Sequence, residues 1–416
     1  MRDEVNLSGP EQSYSSVPLG ALLGRIESGW SPSCDSIPPA ADEWGVLKVS
    51  AVSSGRFAES EAKRLPEGLA ARPDLEVRPG DVLLTRANGV RSLVGVACYV
   101  SATRTGLMLS DKTLRVVPKT SMDSAYLAVL LSSQSVRRQI GSLLNGGTGQ
   151  NNISQADVRG LQVPDVPLDE QRRIVAVHAA FERRIGALVR ELGKFDALRR
   201  GLRDDCLSGP SVQLGEVLAE SPKNGYSPSE VHEWTGLLAL GLGCLTSEGF
   251  VPKQLKRIPD SPMARRFTLA DGDLLMSRAN TRELVGFAGR YRDVGQACMY
   301  PDLMMRLRPD EQRCLTAYLE MALASSPVRA AVQAEARGTS ESMVKISAGV
   351  VEALRIPLPS LERQREAVEA AEQLNRRIAK QQAVVTRLRT VQQGVCEDLL
   401  RGQAHVRDSQ PTAPAG

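Results

Sequence analysis

The sequence predicts an α+β protein with two repeated mixed α/β domains, each followed by a long α-helix, and with the two helices packed as an antiparallel coiled coil. Three observations predict this class. The 416 residues contain an internal repeat, short apolar runs bounded by Gly and Pro are typical of strands, and two long stretches carry an apolar residue every three or four positions. A chain of this length also exceeds one ordinary domain.

The repeat consists of four phrases that recur in the same order after about 192 residues. The pairs are VPLGALLGRIESGWSPS (17–33) with VQLGEVLAESPKNGYSPS (212–229), PGDVLLTRANGVRSLVGVA (79–97) with DGDLLMSRANTRELVGFA (271–288), AYLAVLLSSQSVR (125–137) with AYLEMALASSPVR (317–329), and GLQVPDVPLDEQRR (160–173) with ALRIPLPSLERQR (353–365). A period this long indicates duplicated domains and not a solenoid.

Within each copy, local patterns predict the elements in order. DVLLTR and VGVACYV have the composition of short strands, and AYLAVLLSSQSVRRQIGSLL (125–144) has helical spacing. Ser154 followed by Asp157 predicts a capped short helix, with a strand before Pro164.

A long helix is expected after each globular part. From Asp169 to Leu207 no proline occurs, and a helix of this length spans roughly 58 Å at 1.5 Å per residue. Steps of three or four between apolar residues predict a seam on one face. The seam residues singled out are Ile174, Phe181, Ile185, Leu188, Leu192, Leu198 and Cys206 in the first helix, and Ile378, Leu388 and Val395 in the second.

Neither helix can hide such a seam alone, so we expect the two to pack on each other. The alternative is that each lies separately on the surface of its own domain. The repeat sets the expected boundaries: domains at 1–168 and 210–360, helices at 169–209 and 361–402, and a polar, disordered tail at 403–416.

Composition excludes several classes of protein. The seven cysteines form no CxxC pair and the three histidines are far apart, so neither a disulfide framework nor a metal site is expected. The polar N-terminus lacks the apolar core of a signal peptide, and no stretch is apolar enough for a membrane span. We therefore expect a cytoplasmic protein without a membrane partner.

Basic and acidic side chains nearly balance, at 52 and 48, so any DNA contact must come from local clusters. The triplet Arg-Ala-Asn follows a predicted strand in both copies. A shared triplet favours phosphate contact or loop architecture over base readout. The candidate DNA-binding residues are Arg86, Asn88, Arg91 and Lys112 in the first copy, and Lys256, Arg257, Arg278, Asn280 and Arg282 in the second. Trp30 and Tyr226, which precede Ser-Pro in both copies, are expected to pack in the core or a loop.

Catalytic motifs are missing. The sequence has no Asn-Pro-Pro-aromatic or Asp-Pro-Pro-Tyr tetrapeptide, no glycine-rich cofactor fingerprint opening a helix, and no GxxxxGK[ST] loop. The glycine-rich run 146–152 resembles a phosphate loop only loosely. It is open whether this run offers N–H groups to a phosphate or to a partner, or is a flexible turn. No catalytic residue is therefore expected.

Two equal domains joined by equal helices make a pseudo-two-fold molecule, which suits the recognition of two separated half-sites on DNA. Because the two domains differ in sequence, the half-sites need not match. The helices would then act as a ruler between them.

The order of domain, helix, domain and helix resembles the specificity subunits of Type I restriction–modification systems, as do GDVLLTRANG, GDLLMSRAN and the stretch from Gly146 to Ile174. The resemblance covers about residues 15–402. It implies two target-recognition domains, binding to double-stranded DNA, and helices that bind two methyltransferase subunits, with restriction or translocase subunits added. It also implies that adenine N6 methylation is catalysed by the partner with S-adenosylmethionine, and that ATP binds partner subunits. This chain would need no cofactor.

The second copy departs from this pattern, since Gly-Thr-Ser-Glu-Ser-Met (338–343) replaces the glycine-rich run. Two alternatives remain open: a specificity protein of another phage-defence methyltransferase system, and a coiled-coil scaffold without a DNA role.

Overall fold

The computed structural model describes residues 14–144, 151–205, 209–338 and 343–404, with the side chains of 203–205 excepted. The chain divides into two compact units. The first comprises residues within 1–188 and 384–416, and the second comprises residues 189–383. Each long helix therefore contributes one segment to each unit.

In chain order, the elements that begin before residue 206 are strands β1 (Ser16–Pro18), β2 (Leu23–Ser28), β3 (Gly45–Leu47), β4 (Ala62–Arg64), β5 (Val82–Thr85), β6 (Ala87–Asn88), β7 (Ala97–Tyr99), β8 (Leu107–Met108), β9 (Thr113–Pro118), β10 (Asn151–Asn152) and β11 (Gln162–Pro164), and helices α1 (Ser50–Ser53), α2 (Ser124–Ser132), α3 (Gln134–Leu143), α4 (Gln155–Gly160) and α5 (Leu168–Asp205).

The remaining elements are strands β12 (Ser211–Gln213), β13 (Leu218–Asn224), β14 (Leu238–Leu240), β15 (Leu245–Thr246), β16 (Gly249–Phe250), β17 (Leu255–Arg257), β18 (Leu274–Ser277), β19 (Ala279–Asn280), β20 (Ala288–Arg290), β21 (Cys298–Met299), β22 (Met304–Pro309), β23 (Val344–Lys345) and β24 (Arg355–Pro357), and helices α6 (Pro262–Arg265), α7 (Thr316–Leu323), α8 (Ser326–Glu335), α9 (Ala348–Ala353) and α10 (Leu361–Leu400).

The two units share one sheet topology. The four-stranded order β2-β9-β5-β7 returns as β13-β22-β18-β20, and the three-stranded order β4-β3-β8 returns as β17-β14-β21. In each three-stranded sheet the central strand has one antiparallel and one parallel neighbour. The second unit also has the hairpin β15-β16. The repeat found in the sequence is thus a repeat of architecture.

Local signals explain where several elements begin. Ser154 and Asp157 form the predicted capping box at the start of α4, and β11 ends at Pro164 as expected. The stretch 125–144 holds two helices. They separate at Ser133, where the backbone is extended. The Ser133 side chain caps α3, since its Oγ accepts from Val136 N. A serine favours such a cap because it competes with helical hydrogen bonding.

The long helices carry the predicted seam, which confirms the fold class. Ile174, Phe181, Ile185 and Leu188 are buried, as are Ile378 and Leu388, whereas Leu192 and Val395 are half-buried. Leu198 is 58% exposed, so its assignment to the seam was wrong. Cys206 and the tail from 405 lie outside the described residues.

In the second unit, the helices contact each other in antiparallel order. Gln381 Nε2 donates to Glu191 Oε2 at 2.7 Å, and the guanidinium carbon of Arg377 lies 4.7 Å from the Phe195 ring centroid. The later α10 residue thus meets the earlier α5 residue. The alternative of two separate surface helices is therefore wrong.

In the first unit, a polar contact joins the same two helices. Gln392 of α10 donates to Glu182 Oε1 of α5 at 3.0 Å, and Arg56 Nη2 lies 2.5 Å from Glu182 Oε2. Burial alone would raise the pKa of Glu182, but the hydrogen bond from Gln392 and the charge of Arg56 hold that pKa below its usual value. The carboxylate thus ties both helices to the globular part of this unit.

A buried glutamine attaches the first turn of each long helix to its own unit. Gln171 is 2% exposed; its Oε1 accepts from Asp123 N at 2.8 Å, and its Nε2 donates to Ser121 O at 3.1 Å and to Val166 O at 2.8 Å. Asp123 in turn caps α2. One amide therefore satisfies three backbone groups where two helices begin.

Gln364 repeats this arrangement in the second unit. It is fully buried, accepts from Leu315 N at 2.9 Å, and donates to Arg313 O at 2.9 Å and Pro359 O at 3.0 Å. Leu315 precedes α7, the counterpart of α2. The two units therefore attach their long helices in the same way.

We predict that Gln171→Leu and Gln364→Leu each destabilise the protein by about 2–4 kcal/mol. Leucine keeps much of the volume but leaves the buried backbone groups without hydrogen-bond partners. Each such group costs about 1–3 kcal/mol of folding free energy. Urea unfolding of the purified chain measures this. Gln393→Leu, on an exposed position of α10, is the control. Equal stability of all three variants would contradict the role of the buried amides.

Candidate nucleic-acid interface

Both Arg-Ala-Asn triplets lie where a strand of the four-stranded sheet ends. Arg86 follows β5, and Arg278 follows β18. The next two residues form β6 or β19, which pairs antiparallel with β10 or β23. Each triplet is therefore fixed between the sheet and a two-residue strand pair.

The backbone of the arginine is bonded in the same way in both units. Arg86 N donates to Lys112 O at 2.8 Å, and Arg86 O accepts from Ile153 N at 2.9 Å. Arg278 N donates to Leu303 O at 2.8 Å, and its oxygen accepts from Ile346 N at 3.0 Å. The triplet thus has a role in loop architecture whatever else it does.

The triplet side chains differ in how far they are engaged. Asn88 Oδ1 accepts from Val90 N at 2.9 Å, which closes an Asx turn. Asn280 Oδ1 accepts from the N–H of the next residue, Thr281, at 2.9 Å. Arg86 Nη1 donates to Ser28 Oγ at 3.3 Å.

Arg278 Nη1 likewise donates to Asp302 O, at 3.4 Å. Among the described residues, the guanidiniums of Arg86 and Arg278 make no further hydrogen bond. Each guanidinium therefore keeps N–H donors without a partner in the described part of the chain.

Arg91 and Arg282 lie at the ends of equivalent helices. Arg91 Nη2 donates to Gly141 O of α3 at 2.7 Å, and Arg282 Nη1 donates to Gln333 O of α8 at 2.9 Å. An arginine at a helix C-terminus satisfies free carbonyls and interacts favourably with the helix dipole. These contacts give both arginines a structural role.

The other basic candidates lie on the three-stranded sheets or beside them. Lys256 and Arg257 belong to β17; Lys256 Nζ lies 3.3 Å from Glu230, and Arg257 Nη1 donates to His232 O at 2.7 Å. Lys112 lines a cavity of the first unit. Lys256 and Arg257 thus belong to a different sheet from the one that Arg278 follows.

Comparison with known proteins gives a consistent result, although no family model matches. The chain is 35% identical over 161 residues to the Type I restriction enzyme EcoEI specificity subunit of Escherichia coli, which is 38% of this chain and 27% of that relative. It is 22% identical to the EcoKI specificity subunit of E. coli K12 and 21% identical to the StySPI specificity subunit of Salmonella potsdam. Those two alignments cover 79% and 86% of this chain, and 75% and 82% of the relatives.

The chain is thus similar to specificity subunits of Type I restriction enzymes. It spans only about a quarter of the EcoEI relative but three quarters or more of the other two.

Solved structures support the fold. A chain described in work on complex assembly and conformational transition of the type I restriction–modification system aligns over 95% of this chain and 100% of its own length, with a TM-score of 0.58 and 20% identity. The type I S subunit from M. genitalium aligns over 98% of both chains, with a TM-score of 0.50 and 13% identity. At such identities, the likeness concerns the fold alone.

Sequence reasoning missed the partner of the repeated Gly-Asp. Asp81 Oδ2 lies 3.0 Å from Arg115 Nε on β9, and Asp273 Oδ2 lies 3.4 Å from Arg306 Nη1 on β22. Arg115 also contacts Glu27 at 2.8 Å. A largely buried arginine costs much to leave unpaired, so these aspartates hold the sheet that carries the triplet.

Sequence analysis also missed the role of two equivalent arginines, which are the last residues of the repeated phrases at 125–137 and 317–329. Arg137 donates to Val94 O at 2.7 Å, and Arg329 donates to Val285 O at 2.6 Å. Burial lowers the pKa of Arg329 to about 10, so it stays protonated at neutral pH. The shared Val-Arg ending of both phrases was the available signal.

The two aromatic residues that precede Ser-Pro are packed in both units. Trp30 and Tyr226 pack as predicted, Trp30 under the Arg72 guanidinium at 4.1 Å and Tyr226 against Phe267 at 6.0 Å between ring centroids. Of the glycine-rich run, 146–150 lies outside the described residues, as do 339–342 in its counterpart. Within the described residues, no helix has the length and apolarity of a membrane span, and His, Cys, Asp and Glu form no group suited to a metal.

We predict that Arg86→Ala and Arg278→Ala weaken DNA binding by the assembled complex without changing the sequence read. Each lost phosphate contact should reduce the slope of log affinity against log salt by about 0.9. Titrations at several salt concentrations measure the slope, and methylation mapping gives the sequence. Arg138→Ala, an exposed arginine on α3 that donates to Gln134 O at 3.4 Å, is the control. New target bases with normal affinity would identify the arginines as base readers instead.

Proposed function

We propose that this chain is the DNA-reading subunit of a Type I restriction–modification complex and recognises a bipartite, asymmetric target in double-stranded DNA. Residues 1–168 and 210–360 are the two target-recognition domains. Two methyltransferase subunits bind the helical segments 169–209 and 361–402, and restriction or translocase subunits join them in the cytoplasm. S-adenosylmethionine and ATP bind these partners.

The observation that carries the proposal is one framework used twice with different additions. The two units share their sheet orders, buried glutamines and Asp–Arg pairs. They differ in what connects those shared parts: helix α1 follows β3 in the first unit, whereas a 3-10 turn and the hairpin β15-β16 follow β14 in the second. Equal frameworks with unequal connections suit two half-sites of different sequence.

The relatives support the same function, since all three named relatives are specificity subunits of Type I restriction enzymes. The antiparallel helices support a fixed spacing, because paired helices resist bending better than a single linker does. The shared triplets support a common backbone-positioning role in both domains, with sequence read elsewhere.

We predict that the purified chain transfers no methyl group, whereas the chain with its partner methyltransferase methylates adenine N6 at one bipartite target. The recognition chain supplies sequence and the partner supplies chemistry. Single-molecule sequencing of DNA treated with chain, partner, or both tests this. Methylation by the chain alone would contradict the proposal, and a partner whose methylation pattern ignores the chain would favour the scaffold alternative.

We also predict that seven residues inserted after Leu188 and after Gln381 lengthen the target spacer by about three base pairs. Seven residues add roughly 10 Å and preserve the heptad phase, and about 10–10.5 base pairs occupy 34–36 Å. Both half-sites should remain unchanged in the methylation map.

The control inserts the seven residues into one helix only, which breaks the pairing and should abolish methylation. A double insertion that stays active with an unchanged spacer would show that the helices do not set the spacing.

A further inference from the structure

The first unit contains a cavity of about 280 Å³ that no part of the framework described above uses. It lies beside β3 and β4. Its apolar lining comes from Pro32, Val46, Leu47 and Val49, and its polar lining comes from Ser31, Cys34, Ser110, Lys48, Lys63 and Lys112. We call it the lysine pocket. It gathers three of the chain's ten lysines, although arginine supplies most of the basic residues.

Positive charge in the lysine pocket is only partly compensated. Lys48 Nζ lies 3.7 Å from Glu61 Oε2, and this carboxylate also accepts from Ser50 Oγ at 2.6 Å. Among the described residues, Lys63 and Lys112 have no ion-pair partner. Asp111 accepts a hydrogen bond from Ser31 Oγ and keeps its negative charge, but no ion pair joins it to a described lysine of the pocket. The two unpaired ammonium groups lie next to apolar walls, and a low-dielectric surface focuses their field toward an anion.

The second unit lacks the first of these lysines. Lys48 N donates to Glu61 O at 2.9 Å, and the equivalent bond runs from Gly241 N to Gln254 O at 2.8 Å. The two backbones therefore match at this position, and glycine stands where the first unit has Lys48.

The second lysine is also absent there. Arg86 N donates to Lys112 O at 2.8 Å, and Arg278 N donates to Leu303 O at 2.8 Å. Leu303 thus replaces Lys112. Both substitutions remove a charge while the backbone hydrogen bond stays.

Only the third lysine is retained, and its charge is paired. Lys63 lies opposite Val46 in the β3-β4 register, as Lys256 lies opposite Ala239 in the β14-β17 register. Lys256 contacts Glu230 at 3.3 Å. The lysine pocket is therefore a property of the first unit alone, and the shared framework does not require it.

We propose that the lysine pocket binds a backbone phosphate of DNA at the half-site read by the first recognition domain. This inference rests on the proposed function and deepens it. Lysine is a point charge that suits a phosphate, and the pocket lining contains none of the Arg, Asn or Gln side chains that read base edges through paired hydrogen bonds. Lysine can also read guanine, so the methylated sequence is the measurement that separates the two roles. The pocket thus positions DNA on one domain, and that domain depends more on salt than the other.

The test replaces pocket lysines by the residues of the second unit, Lys48→Gly with Lys112→Leu, in the complex with its methyltransferase. The double variant should bind the full target several-fold more weakly at moderate salt, with the salt slope lowered by about 0.9 for the one phosphate lost. The methylated sequence should not change. Lys119→Met, a lysine of the same unit that donates to Ala21 O, is the control and should leave the slope as in wild type.

A second measurement observes the lysines directly. Amine-reactive labelling followed by mass spectrometry should show Lys63 and Lys112 protected in the wild-type complex by target duplex, and Lys119 unprotected. Equal labelling with and without DNA, or an unchanged salt slope with normal thermal stability, would overturn the pocket as a phosphate site. A changed target sequence would overturn it in favour of base readout. If wild type binds and methylates no DNA, the proposed function fails as well.

Discussion

A single buried side-chain amide fixes the position of each long helix. Gln171 and Gln364 each satisfy three backbone groups at the point where a long helix leaves its globular part. Rotating the helix by one residue would leave those groups buried without partners, at about 1–3 kcal/mol each. The phase of the apolar seam relative to the sheet is therefore fixed at the first turn. Any function that depends on the length of the helices therefore also depends on this contact, because it fixes where each helix starts.

The repeated phrases of the sequence turn out to be framework more than recognition surface. The aspartate of each Gly-Asp pairs with a largely buried arginine of the same sheet. The arginine of each Val-Arg donates to loop carbonyls. Ala and Asn of each triplet form a strand pair, and each Asn side chain accepts a hydrogen bond from a nearby backbone N–H. Its arginines keep free donors, but the motif as a whole is accounted for by architecture. Similarity between the two halves thus reports what holds each half together.

Sequence reasoning succeeded where a signal is local or periodic. The capping box of Ser154 and Asp157, the long helices and most of the seam follow from spacing alone. It failed where the burial or the partner of a residue depends on segments that are far away in the sequence. Leu198 has the right spacing, yet it is 58% exposed because spacing does not say where a neighbour is present to cover it. The partners Arg115 and Arg306 lie over thirty residues from their aspartates, so only the sheet brings them together.

The two halves differ in charge at positions where their backbone hydrogen bonds are the same. A lysine pocket built from positions 48, 63 and 112 has no linear signature, and it becomes visible only when equivalent hydrogen bonds show Gly241 and Leu303 in the matching places. Neither replacement alters a backbone bond, so the framework tolerates either set. Divergence at such positions changes the charge offered to a ligand at little cost in stability. A duplicated chain can therefore give its two halves different tasks while keeping one fold.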